Sequence, residues 1–182
     1  MSKKHLFCLA GKNVLLTGAT GHLGRPIAWE LAKCGAKVLV NSRSINGGDK
    51  LVSEILNAGF TAEVACFDVG DQVAIDTYFD TKKEELLHCL INNAYAGAAG
   101  TIESANSYSY SESYDVCVVS AHRLLIAALP GLRRAAKEDS GASVVNIASM
   151  YGLVSPDLRL YSDAAHSNPP FYGAAKAALI QW

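Results

Sequence analysis

The sequence has little charge and no long apolar run. Only 18% of its 182 residues are charged, and 16 basic residues against 17 acidic ones leave a net charge of −1. This balance predicts neither a nucleic acid nor a membrane surface as partner. No apolar run approaches the about 20 residues of a membrane-spanning helix. Gly11, Lys12 and Asn13 interrupt the apolar start, unlike a signal peptide. We therefore expect a cytoplasmic protein.

The sequence also lacks the cysteine and histidine spacings that are typical of metal sites and disulfide frameworks. The five cysteines and five histidines contain no CxxC, HxxxH or HExxH spacing, so no metal site is expected. An odd number of scattered cysteines favours buried free thiols in a reducing compartment. The cysteines are Cys8, Cys34, Cys66, Cys89 and Cys117.

Half of the residues are hydrophobic, which is enough for a folded core. With no repeat or linker, we expect a single domain over residues 1–182. Short β-branched runs alternate with stretches of helical period, which predicts an α/β fold with a doubly wound parallel sheet, strand order 3-2-1-4-5 and helices on both faces. The expected strands are 13–17, 37–41, 63–67, 89–92 and 143–148, and the expected helices are 25–34, 48–58, 71–87, 111–137 and one beginning near Phe171.

A glycine-rich turn, TGATGHLG, joins the first strand to the first helix. Glycines there let the backbone turn tightly and approach a pyrophosphate, while the helix N-terminus favours an anion. The pattern therefore predicts dinucleotide binding, although a structural turn without a ligand is the alternative. The candidate residues are Gly18, Thr20, Gly21, His22, Leu23 and Gly24.

The end of the second strand predicts which dinucleotide binds. NAD is usually held there by an acidic residue on the ribose hydroxyls, but no Asp or Glu occurs between Glu30 and Asp49. Ser42 and Arg43 instead offer a hydroxyl and a guanidinium, which suit a 2′-phosphate. We predict NADP(H) rather than NAD(H); the alternative is that Arg43 is an ordinary surface arginine.

Tyr172 and Lys176 stand four residues apart near the end of the sequence. On a helix this spacing places both on one face. An ammonium about 4 Å from a phenol favours the phenolate by about 4 kcal/mol at an effective dielectric constant of about 20. The pair can therefore exchange a proton near neutral pH, although the spacing also arises by chance in helices.

Five motifs in order resemble the short-chain dehydrogenase/reductase family: TGATGHLG, FDV at 67–69, INNAY at 91–95, NIAS at 146–149 and YGAAK at 172–176. The resemblance implies a Rossmann-type NAD(P)-binding domain and an enzyme that passes a hydride between nicotinamide and a carbonyl or secondary alcohol. It implies that Ser149 orients the substrate, that Tyr172 exchanges the proton, and that Lys176 holds the nicotinamide ribose. It also implies a homo-oligomer, when full length, that associates through the fourth and fifth helices.

The resemblance adds further cofactor contacts. Asp68 and Val69 are expected against the adenine, and Asn92, Asn93 and Ala94 on the ribose side. Tyr172 and Lys176 complete the cofactor site.

The sequence also departs from the family pattern. Tyr95 replaces the usual glycine, and Cys117 occupies the position of the usual catalytic asparagine. The spacing TGxxGxxG, with His22, resembles the sugar-nucleotide-modifying branch. Sugar-nucleotide epimerase or dehydratase chemistry and a non-catalytic cofactor-binding module therefore stay open as alternatives to the oxidoreductase.

The irregular stretch 151–170 is a candidate substrate-facing segment, since loops of this length are usually functional. It suggests a polar, sugar-like substrate, with surface filler as the alternative. Its candidate contacts are Tyr151, Asp157, Arg159, Tyr161 and His166. The family also implies further strands and a substrate lid beyond Trp182, so we expect this chain to be a piece of a longer reductase.

Overall fold

A single parallel sheet organises the chain. The computed structural model describes residues 7–139 and 141–182. Its five strands pair in the order β3-β2-β1-β4-β5, with every neighbouring pair parallel. This confirms the predicted fold class. The strands are β1 (Asn13–Leu16), β2 (Lys37–Ser42), β3 (Thr61–Cys66), β4 (Cys89–Asn92) and β5 (Ser143–Asn146).

Six α-helices are described, and most lie close to their predicted positions. The exception is α3, which ends at Thr81 instead of near residue 87, and Lys82 N–H closes its last turn on the carbonyl oxygen of Phe79. Leu87 N–H then bonds Gly131, which directs the chain into β4. The helices are α1 (Gly24–Lys33), α2 (Ile45–Asn57), α3 (Gln72–Thr81), α4 (Ser107–Tyr114), α5 (Ser120–Glu138) and α6 (Pro170–Gln181).

The core consists of two apolar layers, one on each face of the sheet. Successive strand residues point to opposite faces, so Val14 and Leu16 pack on one side with α1 and α2, while Leu15 packs on the other with α3 and α5. The central strands are therefore buried on both faces, which explains their continuous apolar runs.

The fifth strand is much less covered than the others. Val144 is 38% and Val145 40% exposed, whereas Leu15 and Leu90 are fully buried. β5 pairs with β4 alone, so one edge of the sheet ends there. The sheet therefore ends there in an edge strand with exposed apolar residues.

α4 and α5 form one continuous helix through a π-helical turn, Asp115–Val119. By length and composition alone, Ser107–Glu138 could cross a membrane, which corrects the expectation that no stretch is long enough. The apolar side of α5, including Leu124, Ala128 and Leu132, packs against the sheet, and core helices of this kind meet the same criterion.

The expectation of buried cysteines was wrong for most of them. All five thiols are free, but only Cys117 is buried in the described part of the chain. Cys66 is exposed because it ends β3, the other edge strand of the sheet.

Candidate active site

A cleft of about 630 Å³ opens at the carboxyl ends of the strands, where the chain order reverses between β1 and β4. Open α/β sheets bind ligands at this point. Twelve of the residues predicted to hold the cofactor line it. They are Gly18, Thr20, Gly21, His22, Leu23, Gly24, Ser42, Arg43, Asp68, Val69, Asn93 and Ala94.

The glycine turn is tight because its backbone packs on itself. Gly18 has φ +59°, a conformation that favours glycine, and a Cβ on Gly24 would collide with the Gly18 carbonyl oxygen. Leu23, which precedes α1, gives that helix no side-chain cap. Pro26 has no N–H, and the Arg25 N–H donates to the Gly21 carbonyl oxygen at 3.0 Å. In the first turn of α1 the Gly24 N–H therefore remains beside the cleft as the donor for a pyrophosphate.

Thr17 and Asn93 fix the two loops that meet at the cleft. The Thr17 hydroxyl accepts hydrogen bonds from the backbone N–H of Asn93 at 2.9 Å and of Ala94 at 3.0 Å. The Asn93 side-chain amide donates to the carbonyl oxygens of Thr17 at 2.9 Å and Gly18 at 3.2 Å. The glycine turn is thus bonded to the end of β4.

Asn92 has a different position from the other predicted cofactor residues. It is 7% exposed and does not line the cleft. Its side-chain amide donates to the Asn146 side chain at 2.9 Å and links β4 to β5. A cofactor contact by Asn92 stays a prediction.

The end of the cleft beside β2 combines buried and exposed polar groups. Asn41, which the sequence did not single out, is 3% exposed, and its amide donates to the carbonyl oxygens of Ala65 and Phe67 at 3.0 Å. Arg43 is exposed at the rim. This end thus offers an exposed cation beside a buried, hydrogen-bonded asparagine.

The three predicted catalytic residues lie at the same edge of the sheet. Lys176 is only 3% exposed, and its ammonium donates to the Ile147 carbonyl oxygen, just beyond β5, at 2.6 Å. Its Nζ lies 5.7 Å from the centroid of the Tyr172 ring. The Ser149 hydroxyl accepts from Tyr151 N–H at 3.2 Å and begins a 3-10 turn that packs on α6. None of the three lines the cleft.

Tyr95 is a cleft residue whose role the sequence did not predict. Its ring meets the Tyr172 ring edge-on, with centroids 4.9 Å apart, and its centroid lies 5.8 Å from the Lys176 ammonium. Burial raises the pKa of Tyr95 to about 12, and the neighbouring Ser113 side chain acts in the opposite direction. The sequence signal was the replacement of the family's usual glycine.

Cys117 is also a neighbour of Lys176. It is 3% exposed within the π-helical turn, a distortion often found at functional sites. Burial raises the pKa of its thiol, while the neighbouring Lys176 ammonium acts in the opposite direction. The two departures from the family pattern, Tyr95 and Cys117, therefore both contact the same lysine.

A second groove, of about 590 Å³, runs between the 151–168 segment and α6. Of the five polar residues predicted to face a substrate, Tyr151 lines the groove and bonds Tyr161 at 2.7 Å. Asp157 and Arg159 form an ion pair with each other at 2.6 Å. The four predicted residues other than Tyr151 do not line the groove, so its wall is mostly apolar.

Comparisons with known proteins identify the family. Residues 12–182 match the short chain dehydrogenase family. Ketoacyl reductase HetN of Nostoc sp. is 31% identical over 96% of this chain and 56% of that protein. The 5-keto-D-gluconate 5-reductase of Escherichia coli is 27% identical over 84% of this chain and 59% of its own length.

Solved structures agree with this assignment. The Pseudomonas aeruginosa RhlG/NADP active-site complex superposes with a TM-score of 0.84 at 25% identity, covering 96% of this chain and 65% of that one. The chain thus spans less than two thirds of the length of these relatives. It belongs to the short-chain dehydrogenase family of oxidoreductases.

Proposed function

We propose that the whole protein is an NADP(H)-dependent oxidoreductase that interconverts a carbonyl and a secondary alcohol. The observation that carries this proposal is the single edge of the sheet at which the glycine turn, Arg43 and the Tyr172–Lys176 pair all lie. A dinucleotide cleft and a proton-exchanging pair at one edge are what hydride transfer needs.

The cleft fits NADP(H) at its adenosine and pyrophosphate parts. The uncapped N-terminus of α1 and the collapsed glycine turn would hold the pyrophosphate. Ser42 and Arg43 would hold the 2′-phosphate, with no carboxylate beside them on β2 to repel it. Asp68 and Val69 would border the adenine. When bound, the nicotinamide supplies or accepts the hydride.

The protein's own groups would handle the proton and the substrate. In the reductive direction, the Ser149 hydroxyl would donate a hydrogen bond to the carbonyl oxygen, since its oxygen already accepts from Tyr151 N–H. The Tyr172 hydroxyl would give its proton to that oxygen as it becomes an alcohol. The Lys176 ammonium, 5.7 Å from the Tyr172 ring, would stabilise the resulting phenolate.

The substrate proposed is a small, polar, sugar-like carbonyl compound. The Escherichia coli relative named for 5-keto-D-gluconate supports this class. Tyr151, on the groove wall beside α6, would offer its hydroxyl to such a substrate. For the full-length protein we further propose a cytoplasmic homo-oligomer.

A non-catalytic cofactor-binding module is the second candidate. One observation favours it: Lys176 is 3% exposed and bonded to a backbone carbonyl, so its ammonium does not face the cleft. In that case the protein would bind NADPH without turnover.

NADPH titration of the full-length protein, followed by turnover on a panel of keto-acids and keto-sugars, tests the proposal. We expect binding, turnover, and a 10²- to 10⁴-fold loss of kcat, as order-of-magnitude values, in Tyr172→Phe with NADPH affinity kept. Tyr108→Phe, at an exposed tyrosine of α4, is the control and should keep full activity. Binding without turnover supports the module, and full activity in Tyr172→Phe refutes the catalytic assignment.

A further inference from the structure

The side chain of Tyr95 lies between the cofactor cleft and the catalytic lysine. Tyr95 lines the cleft, whereas Tyr172 and Lys176 do not. The Lys176 ammonium lies at similar distances from both tyrosine rings, 5.8 Å from the Tyr95 centroid and 5.7 Å from the Tyr172 centroid. Lys176 is only 3% exposed and does not line the cleft, and Tyr95 is a cleft residue whose ring contacts the Lys176 ammonium.

Two interactions and one close fit hold the ring in this position. The edge-on contact with Tyr172 and the cation–π contact with Lys176 both favour it. The Tyr95 hydroxyl lies against Gly97, where a Cβ would collide with it and approach Phe171 at 3.0 Å. Gly97, with φ +145°, is therefore shaped to receive the ring.

This position of the Tyr95 ring also carries an unfavourable free-energy contribution, which favours displacement of the ring. The Tyr95 hydroxyl is buried and makes no well-formed hydrogen bond among the residues that the structure describes. Ser113 lies beside it, but the Ser113 hydroxyl points to the Phe171 carbonyl oxygen, 3.5 Å away. A buried hydroxyl without a good partner is unfavourable, and moving into water restores its hydrogen bonds. Residues 93–100 have no regular secondary structure that would oppose the movement.

We propose that Tyr95 closes the nicotinamide end of the cleft, so that the adenosine half of NADP(H) binds to a preformed site and the nicotinamide half binds only when the Tyr95 ring is displaced. The proposal rests on the proposed cofactor. Its consequence is that Tyr95 lowers the affinity for the whole dinucleotide but leaves the affinity for the adenosine half unchanged.

Two ligands and three forms of the full-length protein test this. Calorimetric titration with NADPH and with adenosine 2′,5′-bisphosphate, which lacks the nicotinamide half, is performed on wild type, Tyr95→Gly and Tyr95→Phe. Removing the ring eliminates the need to break the two ring contacts, so we expect Tyr95→Gly to bind NADPH about tenfold more tightly. Its affinity for adenosine 2′,5′-bisphosphate should stay within about twofold of wild type. Tyr95→Phe keeps the ring but lacks the buried hydroxyl that favours its displacement, so it should bind NADPH no more tightly than wild type and adenosine 2′,5′-bisphosphate equally well.

Retained binding of adenosine 2′,5′-bisphosphate shows that a variant is folded around the cleft. If Tyr95→Gly loses this binding, Tyr95→Ala replaces it under the same criteria. If the folded variant without the Tyr95 ring binds NADPH no more tightly than wild type, the proposed role of Tyr95 is wrong. The proposed cofactor is unaffected by that result. A wild-type protein that binds neither ligand overturns the proposed cofactor, and the role of Tyr95 falls with it.

Discussion

The two ends of the cleft differ in what holds them together. The adenosine end consists of backbone turns, with Gly18 and Gly24 packed on each other and the uncapped N-terminus of α1 beside them. The nicotinamide end consists of side chains, with Tyr95, Tyr172 and Cys117 around the buried Lys176 ammonium. A backbone site tolerates few changes, while a side-chain site can be altered one residue at a time. Both departures from the family pattern lie at the second end.

The largest effect is expected when a methyl group is added to Gly24, at the adenosine end of the cleft. In Gly24→Ala the new Cβ collides with the Gly18 carbonyl oxygen, so the turn must open. We predict a loss of NADPH affinity of about 100-fold or more and a loss of about 1–3 kcal/mol in the free energy of unfolding. Calorimetry and urea denaturation measure the two quantities.

Gly70→Ala is the matched control for this change. A Cβ on Gly70 would make only ordinary contacts, at 3.4 Å from the Asp115 and Asp68 side chains. If both variants behave alike, close backbone packing is not what distinguishes the adenosine end.

The next largest effect is expected from Arg43, which should determine whether the protein prefers NADP(H) or NAD(H). Arg43 is the exposed cation at the rim of the adenosine end. Since a hydrogen bond to a charged group contributes about 1.5–3 kcal/mol, Arg43→Ala should weaken NADPH binding about tenfold or more and leave NADH binding unchanged. Lys50→Ala, at an exposed lysine of α2 outside the cleft, should change neither. Equal weakening of NADPH and NADH would exclude contact with the 2′-phosphate.

The fold could be predicted far better than the site. Apolar runs and the glycine turn determine the sheet order, because central parallel strands such as β1 must be buried on both faces. The cleft residues follow because the carboxyl ends of parallel strands meet at one edge. The blocking position of Tyr95 could not be predicted, because it depends on a rotamer fixed by Gly97, Tyr172 and Lys176, which are distant in the sequence. The early end of α3 depends equally on a long-range bond from Leu87 to Gly131.

Thiol reactivity measures how closed the nicotinamide end is. Cys117 is buried, and burial raises the pKa of its thiol, so at a given pH less of it is the reactive thiolate. We predict that iodoacetamide labels Cys117 at least about tenfold more slowly than the exposed Cys66 at pH 8, as followed by peptide mass spectrometry. Tyr95→Gly should speed labelling of Cys117 but not of Cys66. Equal rates in the wild type would show that this end is open.

The smallest effect is expected from Asp139, which bonds residues at the amino ends of the strands, opposite the cleft. A change there should leave both ends of the cleft unchanged. Hydrogen bonds from His88 and Lys12 hold the pKa of Asp139 below its ordinary value. A lowered folded-state pKa contributes stability above the unfolded pKa of about 3.9, and this contribution disappears as the pH falls through the folded pKa.

Asp139→Asn should therefore reduce the urea midpoint at pH 6 more than at pH 2.5, with NADPH affinity unchanged at neutral pH. Asp49→Asn, at an exposed position of α2, is the control. A loss of stability in Asp139→Asn that is the same at both pH values would contradict the assigned ion pair.

The most direct test of the difference between the two ends is a crystal structure of the full-length protein with bound NADPH. We predict that Gly18, Gly24 and the start of α1 keep their present arrangement, while the Tyr95 ring leaves its contact with Tyr172 and the Lys176 ammonium faces the cleft. An ordered nicotinamide beside Tyr172, with the Tyr95 and Tyr172 centroids still 4.9 Å apart, would contradict the account.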